Sequence, residues 1–216
     1  MSKIIVPIGA PGAGKGTQAR LIQERLGLPQ ISTGDMFRAM KEARTPLAAE
    51  VRAILSSGAL VPDEITARVV EERTSREDAR GGYVLDGYPR NAAQAETLEK
   101  LAREQGHEIV PVYVDVPFDI LEKRMTGRRT CPVCGEIYNV YFKPPKSDEV
   151  CDLHPTVKLV RRADDNEETA RRRKGVYEQE TLPLVAYYEQ SGRLRRVDGT
   201  RDPEAIYVDV EKIVND

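Results

Sequence analysis

The feature that most constrains this chain is a glycine-rich loop, Gly9–Thr17, with the sequence GAPGAGKGT. It contains the G-x-x-x-x-G-K pattern, preceded by the apolar run Lys3–Ile8 and followed by apolar residues at helical spacing over 16–26. Glycines let successive backbone N–H groups turn inward around phosphate oxygens, and the start of the following helix adds positive charge. The loop therefore predicts a βα unit that grips a phosphate group, with Lys15 as a mobile charge.

Two details of this region depart from the generic pattern. Thr17 offers a hydroxyl for Mg²⁺, but it follows Gly16 rather than directly following the lysine. Pro7 cannot donate to a sheet ladder, so it is expected either at the last residue of the strand or at a local interruption of the ladder. The alternative, a glycine-rich turn with a chance lysine, is disfavoured by the strand–loop–helix setting.

Further strands and helices alternate along the chain. Apolar runs predict strands over Gly82–Asp86 and Ile109–Val116, and a weaker one over Leu194–Val197. Helical patterns follow the first two, over Ala92–Gln105 and Phe118–Thr126. This alternation predicts an α/β fold, with a parallel sheet that helices cover on both faces.

Two stretches interrupt the alternation. Ser32–Val61 is helical and amphipathic without a strong strand, and Gly127–Asp165 is β-like and rich in turns. Both are expected to be insertions on the core. The stretch Asn166–Ser191 is predicted to be helical despite an internal proline, with Asp165 and Glu168 as a capping box at its start.

The cysteines all lie in the second insertion. Cys131 and Cys134 form one C-x₂-C pair, and after sixteen residues Cys151 and His154 form a second pair with the same spacing. Four such ligands are typical of a closed, tetrahedral zinc site, which would fold the segment and take no part in chemistry. Asp152 is a competing ligand with a less suitable offset. Iron or cobalt in the site, or ordinary reduced cysteines, are the remaining alternatives.

Charge and hydropathy exclude several classes of function. Lys and Arg number 33 against 35 for Asp and Glu, which gives a formal net charge of -2 and a pI near 5.9. No global field therefore attracts nucleic acid, and any anion site must be local. The mean hydropathy is -0.50, no apolar run is long enough to cross a membrane, and the N-terminus lacks a signal-peptide pattern. We expect a cytoplasmic monomer.

Several sequence blocks together resemble the adenylate kinase family. They are GAPGAGKGTQ at 9–18, ISTGDMFR at 31–38, LDGYPR at 85–90 with Gln94 following, TGRR at 126–129 and RRADDNEET at 161–169. The resemblance implies a P-loop nucleoside monophosphate kinase fold, with a five-stranded parallel sheet flanked by helices. It also implies a core of residues 1–31, 62–126 and 166–216, an AMP-binding lobe of 32–61, and a lid of 127–165, which carries zinc in some members.

The resemblance further implies reversible transfer of the γ-phosphoryl group of MgATP to AMP, giving two ADP, and it assigns roles by position. The expected ATP-binding residues are Gly12, Ala13, Gly14, Lys15, Gly16, Thr17, Arg124, Arg128, Ile137, Tyr138 and Arg201. The expected AMP-binding residues are Thr33, Arg38, Ala59, Leu60, Val61, Gly87, Tyr88, Pro89, Arg90, Gln94, Arg162 and Arg173. The expected catalytic residues are Lys15, Arg38, Arg90, Arg128, Arg162 and Arg173. Thr17 and Asp86 would hold Mg²⁺ directly or through water, and Cys131, Cys134, Cys151 and His154 would hold zinc.

The number of arginines in these blocks agrees with the chemistry of phosphoryl transfer. The attacking phosphate oxygen is already anionic, so positioning and charge neutralisation carry the catalysis rather than a strong base. Guanidinium groups grip two phosphate oxygens at once and stay charged. Because water would compete with AMP, the lid must close before transfer, and we expect its opening to limit turnover.

Three positions depart from the commonest family pattern, and three alternatives stay open. Tyr88 stands where Phe is usual, Asn91 where Thr is usual, and Pro7 lies in the first strand. Another monophosphate acceptor or a GTP donor would fit the same fold. A P-loop protein that reads nucleic acid through Tyr138, Tyr141 and Phe142 is a rival that the acidic pI opposes. Asp86 could instead cap the next helix.

Overall fold

The computed structural model describes residues 2–40, 51, 54 and 61–216. The strands in chain order are β1 (Ser2–Ile8), β2 (Gln30–Ser32), β3 (Gly82–Asp86), β4 (His107–Asp115), β5 (Arg128–Thr130), β6 (Ile137–Asn139), β7 (Val150–Cys151), β8 (His154–Lys158) and β9 (Arg195–Asp198). The α-helices of these residues are α1 (Lys15–Leu26), α2 (Thr33–Ala39), α3 (Asp63–Thr74), α4 (Ala92–Gln105), α5 (Phe118–Thr126), α6 (Glu167–Val176), α7 (Pro183–Gln190) and α8 (Pro203–Asn215). A 3-10 turn covers Glu77–Ala79 and a π-helical segment covers Tyr177–Thr181.

The centre of the molecule is a parallel sheet in the order β2-β3-β1-β4-β9. Successive side chains of a strand point to opposite faces, and β1 accordingly contributes to two separate apolar clusters. Ile4 packs with Leu98 of α4 and Tyr188 of α7, whereas Ile5 packs with Ile22 of α1 and Val210 of α8. The predicted α/β fold, a five-stranded parallel sheet with helices on both faces, is confirmed.

The structure corrects two local expectations. Pro7 is followed by Ile8 in β1, and both residues lie past Ile5, the last residue that pairs with β3, on a stretch that pairs with β4. The proline is therefore accommodated where one of the two ladders has ended. The capping box at Asp165 is wrong, because α6 begins after Asn166, whose side chain accepts the backbone N–H of Thr169. Asp165 is fully buried and serves the site described below.

Residues 127–165, the predicted lid, contain two small two-stranded sheets of their own. Strand β5 pairs antiparallel with β6, and β7 with β8, while a bridge between Thr130 and Val160 joins its two edges. Its buried cluster consists of Cys131, Tyr138, Cys151 and Leu159. Among the described residues, no helix is both long and apolar enough to span a bilayer.

Candidate active site

The glycine-rich loop joins β1 to α1 at the carboxyl edge of the sheet, where open α/β sheets bind ligands. Gly9 lies at φ 154°, and a Cβ there would stand 2.7 Å from the carbonyl oxygen of Val114. Only glycine fits so close to β4. The Lys15 ammonium donates to the carbonyl oxygens of Gly9 at 2.7 Å and Ala10 at 2.9 Å, so the lysine folds back over the loop.

Asp86 ends β3 directly opposite the start of α1. A Cβ on Gly16 would lie 3.2 Å from its Oδ2, and Gln30 donates to the same oxygen at 3.3 Å. Thr17 lies in the first turn of α1, on the loop side of the helix. The expectation that Asp86 could cap the next helix is wrong, because Asn91 caps α4 by accepting the backbone N–H of Gln94.

The turn after Asp86 forms the opposite wall of the site. Thr33 donates to the carbonyl oxygen of Gly87 at 3.0 Å, and Arg90 Nε donates to the same oxygen at 2.8 Å. Gly87 has φ 83°, and a Cβ there would be 2.8 Å from Thr33 Oγ1. Tyr88 is buried, and this burial, together with nearby Asp63, raises the pKa of its hydroxyl to about 12. The turn that carries Arg90 is therefore tightly packed at Gly87 and Tyr88.

The two acidic residues that precede α6 hold arginines of the site. Arg128 at the start of the lid donates from Nε to Asp165 Oδ2 at 2.9 Å, and from a second nitrogen to Oδ1. Arg173 on α6 donates to Asp164 at 3.0 Å. Asp165 is 0% exposed, so its charge is committed to this pair rather than to solvent.

The site contains more positively charged side chains than these two acids can neutralise. Burial lowers the pKa of Lys15 most strongly, Asp86 acts in the opposite direction, and Arg90, Arg173 and Arg128 add to the lowering, so that the pKa is about 8. Burial and neighbouring arginines also lower the pKa of Arg162 and of Arg173 to about 10. Cations that depress each other's pKa gain most from an anion placed between them. The arrangement suits a polyphosphate.

On the lobe side, Arg38 of α2 donates to Asp35, and both groups act electrostatically on Arg162. Val61 is buried against Phe37 and Val51. The expected AMP-binding residues Ala59 and Leu60 lie outside the described residues.

Arg124 contacts the turn that follows β9, and Arg201 lies in that turn. Arg124 donates to the carbonyl oxygen of Gly199 at 2.8 Å, and its guanidinium lies 5.9 Å from the ring centre of Phe142. Arg201 is partly exposed and pairs with Asp209 of α8. Phe142 is 52% exposed.

The cysteine pairs of the lid come together with the histidine. The ligand atoms of Cys131, Cys134, Cys151 and His154 all lie within 4.8 Å of one another. The Sγ atoms of Cys134 and Cys151 are 3.8 Å apart, and Cys151 Sγ is 3.8 Å from His154 Nδ1. Bonds of about 2.3 Å to tetrahedral ligands place sulfur atoms about 3.8 Å apart. The cysteines are free thiols, and the group fits a zinc-sized ion.

Two neighbouring residues clarify this group. Tyr138 is 2% exposed, and its hydroxyl accepts the backbone N–H of Asp152 and lies 3.6 Å from Cys151 Sγ. Its side chain therefore serves the lid, and any contact with ATP would have to come from its backbone or from neighbouring Ile137. Burial acts to raise the pKa of Cys151, but hydrogen bonds from Tyr138 and His154 lower it to about 6, which favours the metal-binding thiolate. The Asp152 carboxylate accepts from Lys146 instead.

Sequence reasoning missed four contributors to the site. Asp164 and Asp165 lie in the quoted RRADDNEET block, but one was assigned to a cap and the other to no role. Asp63 and Asn91 both contact Gln94. Of these contacts, the sequence could predict only the one in which Asn91 caps a helix, because asparagine is a preferred N-cap residue. Pairing between segments distant in sequence leaves no local signal.

Comparison with known proteins agrees with this geometry. The profile of the family described as adenylate kinase matches residues 7–193. The chain is 48% identical to the adenylate kinase of Thermodesulfovibrio yellowstonii over 204 residues, which is 94% of each chain. It is 47% identical to that of Thermotoga neapolitana over 216 residues, covering 99% of this chain and 98% of the relative. The adenylate kinase of Bacillus subtilis is 45% identical over 211 residues, which is 97% of each chain.

Proposed function

The chain belongs to the adenylate kinase family, and we propose that it works through the side chains gathered around Lys15. Its reaction is the reversible transfer of the γ-phosphoryl group of MgATP to AMP, which gives two ADP. The observation that carries the proposed site is that Lys15, Arg90 and Arg173, from three separate segments, line one cavity beside the glycine-rich loop.

On the donor side, the backbone N–H groups of residues 12–17 hold the ATP phosphates at the start of α1. Lys15 leaves the carbonyl oxygens of Gly9 and Ala10 for the transferring phosphate. Arg124, which lies beside the exposed ring of Phe142, and Arg201 face the ATP. Thr17 and Asp86 would hold the Mg²⁺ that enters with ATP, directly or through water, because the Asp86 carboxylate lies beside the start of α1 and supplies the oxygen ligand that this ion prefers.

On the acceptor side, Arg38 and Arg90 hold the AMP phosphate. Arg90 is fixed by the Gly87 carbonyl oxygen, so its guanidinium is positioned before the substrate arrives. Thr33, Gly87 and Gln94 line the wall beside it, and Val61 closes the apolar side. Ala59, Leu60, Tyr88 and Pro89 complete the proposed lining by their positions in the sequence.

The transfer itself requires charge neutralisation. An AMP phosphate oxygen attacks the γ-phosphorus in line, and charge spreads over the three oxygens of the moving group. Lys15, Arg128, Arg162 and Arg173 act on one another electrostatically, and they neutralise this charge as it spreads, which stabilises the transition state. Arg162 and Arg173 bridge the two substrates from the two sides of the acidic pair 164–165.

We divide the chain into a core of 1–31, 62–126 and 166–216, a lobe of 32–61 and a lid of 127–165. Because Arg128 and Arg162 lie at the two edges of the lid, its closure brings both to the phosphates and excludes water. Cys131, Cys134, Cys151 and His154 hold a structural zinc ion in the lid. A four-ligand site has no open position, so the ion contributes folding energy and leaves catalysis to the arginines.

The test is a product assay with a panel of acceptors. The protein is mixed with Mg²⁺, ATP and each of AMP, GMP, CMP and UMP, and the diphosphates are separated by chromatography. We expect ADP to form from ATP and AMP faster than diphosphates form with any of the other acceptors. In Lys15→Met, kcat should fall by at least about 100-fold. Absence of ADP with AMP, or a preference for another monophosphate, would overturn the proposal.

A further inference from the structure

The side-chain amide of Gln94 has two fixed hydrogen-bond partners near the turn that carries Arg90. Gln94 is 3% exposed. Its Oε1 accepts the backbone N–H of Arg90 at 2.8 Å, and its Nε2 donates to Asp63 Oδ1 at 2.6 Å. The amide is therefore held at both ends by groups from different segments, the turn after β3 and the start of α3.

These two partners permit a single orientation of the amide. A backbone N–H can only donate, and a carboxylate can only accept. Flipping the Gln94 side chain would place its NH₂ against the Arg90 N–H and its oxygen against Asp63, so both hydrogen bonds would become repulsions. The hydrogen-bond network therefore assigns which atom of the amide is the oxygen and which is the nitrogen.

Asp63 is itself held in place by the neighbouring helix. Asn91 Nδ2 lies 3.1 Å from both carboxylate oxygens of Asp63, while Asn91 Oδ1 accepts the backbone N–H of Gln94 at 2.9 Å. A ring of hydrogen bonds therefore connects α3, the N-terminus of α4 and the turn that carries Arg90. Asn91, one of the departures from the usual family residue, links the Asp63 carboxylate to the backbone of Gln94.

The locked amide keeps one acceptor position on Oε1 and one N–H on Nε2 for a ligand. Adenine offers the complementary pair, because its N6 amino group donates and its N1 accepts. Hypoxanthine offers the reverse, since its O6 accepts and its N1–H donates. A freely rotating glutamine could serve either base by flipping, whereas the amide of Gln94 fits the first.

We infer that Asp63 is a positioning residue that locks the Gln94 amide, and that this lock makes the acceptor site select a 6-amino purine over a 6-oxo purine. The inference rests on the proposed function, which places Gln94 against the base of the acceptor. Arg90 supplies the second half of the lock through its backbone. Loss of Asp63 removes one of two constraints, so part of the selectivity remains.

The test compares AMP with IMP, which differ only at position 6 and in the N1 proton. At saturating MgATP, kcat/KM is measured for each acceptor with the unchanged protein, Asp63→Ala and Asp63→Asn. We expect the AMP-to-IMP ratio to fall about tenfold in Asp63→Ala, mainly through KM. Asp63→Asn should keep the ratio within about threefold, since its carbonyl oxygen still accepts from Gln94 Nε2.

A second variant and a control protect the test from a folding defect. Asn91→Ser keeps a capping oxygen for α4 but loses the donor to Asp63, so it should lower the ratio by about threefold. Glu64→Gln removes the same charge one residue away, on an exposed position of α3, and should leave the ratio unchanged. Thermal unfolding is followed for every variant.

The possible outcomes distinguish the role of Asp63 from the proposed function. Equal losses for AMP and IMP in Asp63→Ala would show a purely structural role and overturn the inference. The inference also fails if Asp63→Asn behaves like Asp63→Ala, since charge rather than the acceptor atom would then matter. If the unchanged protein makes no ADP from ATP and AMP, the proposed function itself fails, whatever the variants do.

Discussion

The central sheet and the lid are stabilised by different forces. The sheet lies between two large apolar clusters, to which β1 alone contributes Ile4, Ile5, Val6 and Ile8. The buried cluster of the lid is Cys131, Tyr138, Cys151 and Leu159, and two of these are members of the Cys₃His group. The lid thus has a proposed metal site where the sheet has a hydrophobic core.

Magnitudes show why the difference matters. Burying an apolar side chain contributes about 1.5–3 kcal/mol, so Tyr138 and Leu159 together supply only a few kcal/mol. Ordering the backbone of even ten residues costs about 10–20 kcal/mol. A structural zinc ion in a small domain contributes about 10–16 kcal/mol, several times what the two apolar side chains supply. The lid should therefore be separable from the core by removing its metal.

The largest expected effect comes from that removal. We expect His154→Ala, or a strong chelator, to abolish metal binding and unfold the lid, because the remaining apolar cluster cannot order it alone. Arg128 and Arg162 would lose their positions, so kcat should fall by at least about 100-fold. Metal content by atomic emission, limited proteolysis within 127–165 and steady-state kinetics of ADP formation measure these three results.

Asp152→Ala is the matched control for the metal prediction. Its carboxylate accepts from the backbone of Lys146, outside the group of four ligands, so the variant should keep its metal and most of its activity. One zinc ion per chain and undiminished turnover in His154→Ala would contradict the distinction between lid and core.

An intermediate effect should come from pH, because the two regions carry different cations. The core contributes Lys15, with a pKa of about 8, and the lid edge contributes Arg162, with a pKa of about 10. Raising the pH from 8 to 9 should reduce the charged fraction of Lys15 from about one half to about one tenth and lower kcat/KM for ATP by about fivefold, since this parameter reports the free enzyme. Lys15→Arg should move the decline to higher pH.

The same lysine should affect stability with a defined sign. Its pKa is about 8 in the folded protein and 10.5 for an unperturbed lysine, so the unfolded chain binds more protons between these limits. Stability rises with pH wherever the unfolded state binds more protons. Denaturant titrations of the protein and of Lys15→Met from pH 7.5 to 10 should therefore diverge, and parallel curves would contradict the lowered pKa.

The smallest expected effect concerns an ion pair between the two regions. Arg20 of α1 lies 2.7 Å from Glu136 of the lid, which also binds Lys143 at 2.6 Å. Such partly exposed pairs contribute about 0–1 kcal/mol, so Arg20→Gln should shift lid closure by at most about fivefold. If opening limits turnover, the variant should raise kcat and raise KM for ATP together.

Arg25→Gln provides the comparison for that prediction. Arg25 lies on the same helix but pairs at 2.7 Å with Glu204 of the core, so its loss should leave both kinetic constants unchanged. Stopped-flow measurement of lid opening and the dependence of kcat on solvent viscosity give independent readouts. A lower kcat in Arg20→Gln would indicate that closing, rather than opening, is the slow step.

Local patterns predicted much of the fold. The strand Gly82–Asp86 and the helices Ala92–Gln105 and Phe118–Thr126 have the predicted bounds, because each is delimited by its own apolar spacing and caps. The strand β2 was not predicted, because three residues are too few to show the alternation of apolar and polar side chains that marks a strand. The cap of α6 was misplaced by one residue because adjacent Asp and Asn residues are equally good N-caps.

The sequence by itself determined the phosphate loop, the parallel sheet, the family and the four candidate metal ligands. Each was predicted from short motifs or apolar runs whose members are close together along the chain. The tertiary structure decided how the charges are partitioned. It assigned Asp165 to Arg128 and Asp164 to Arg173, and it placed Asp63 against Gln94. The reason is physical: a carboxylate is equally suited to capping a helix, binding a metal or holding an arginine. Which role it takes depends on the group that the fold brings within about 3 Å of it.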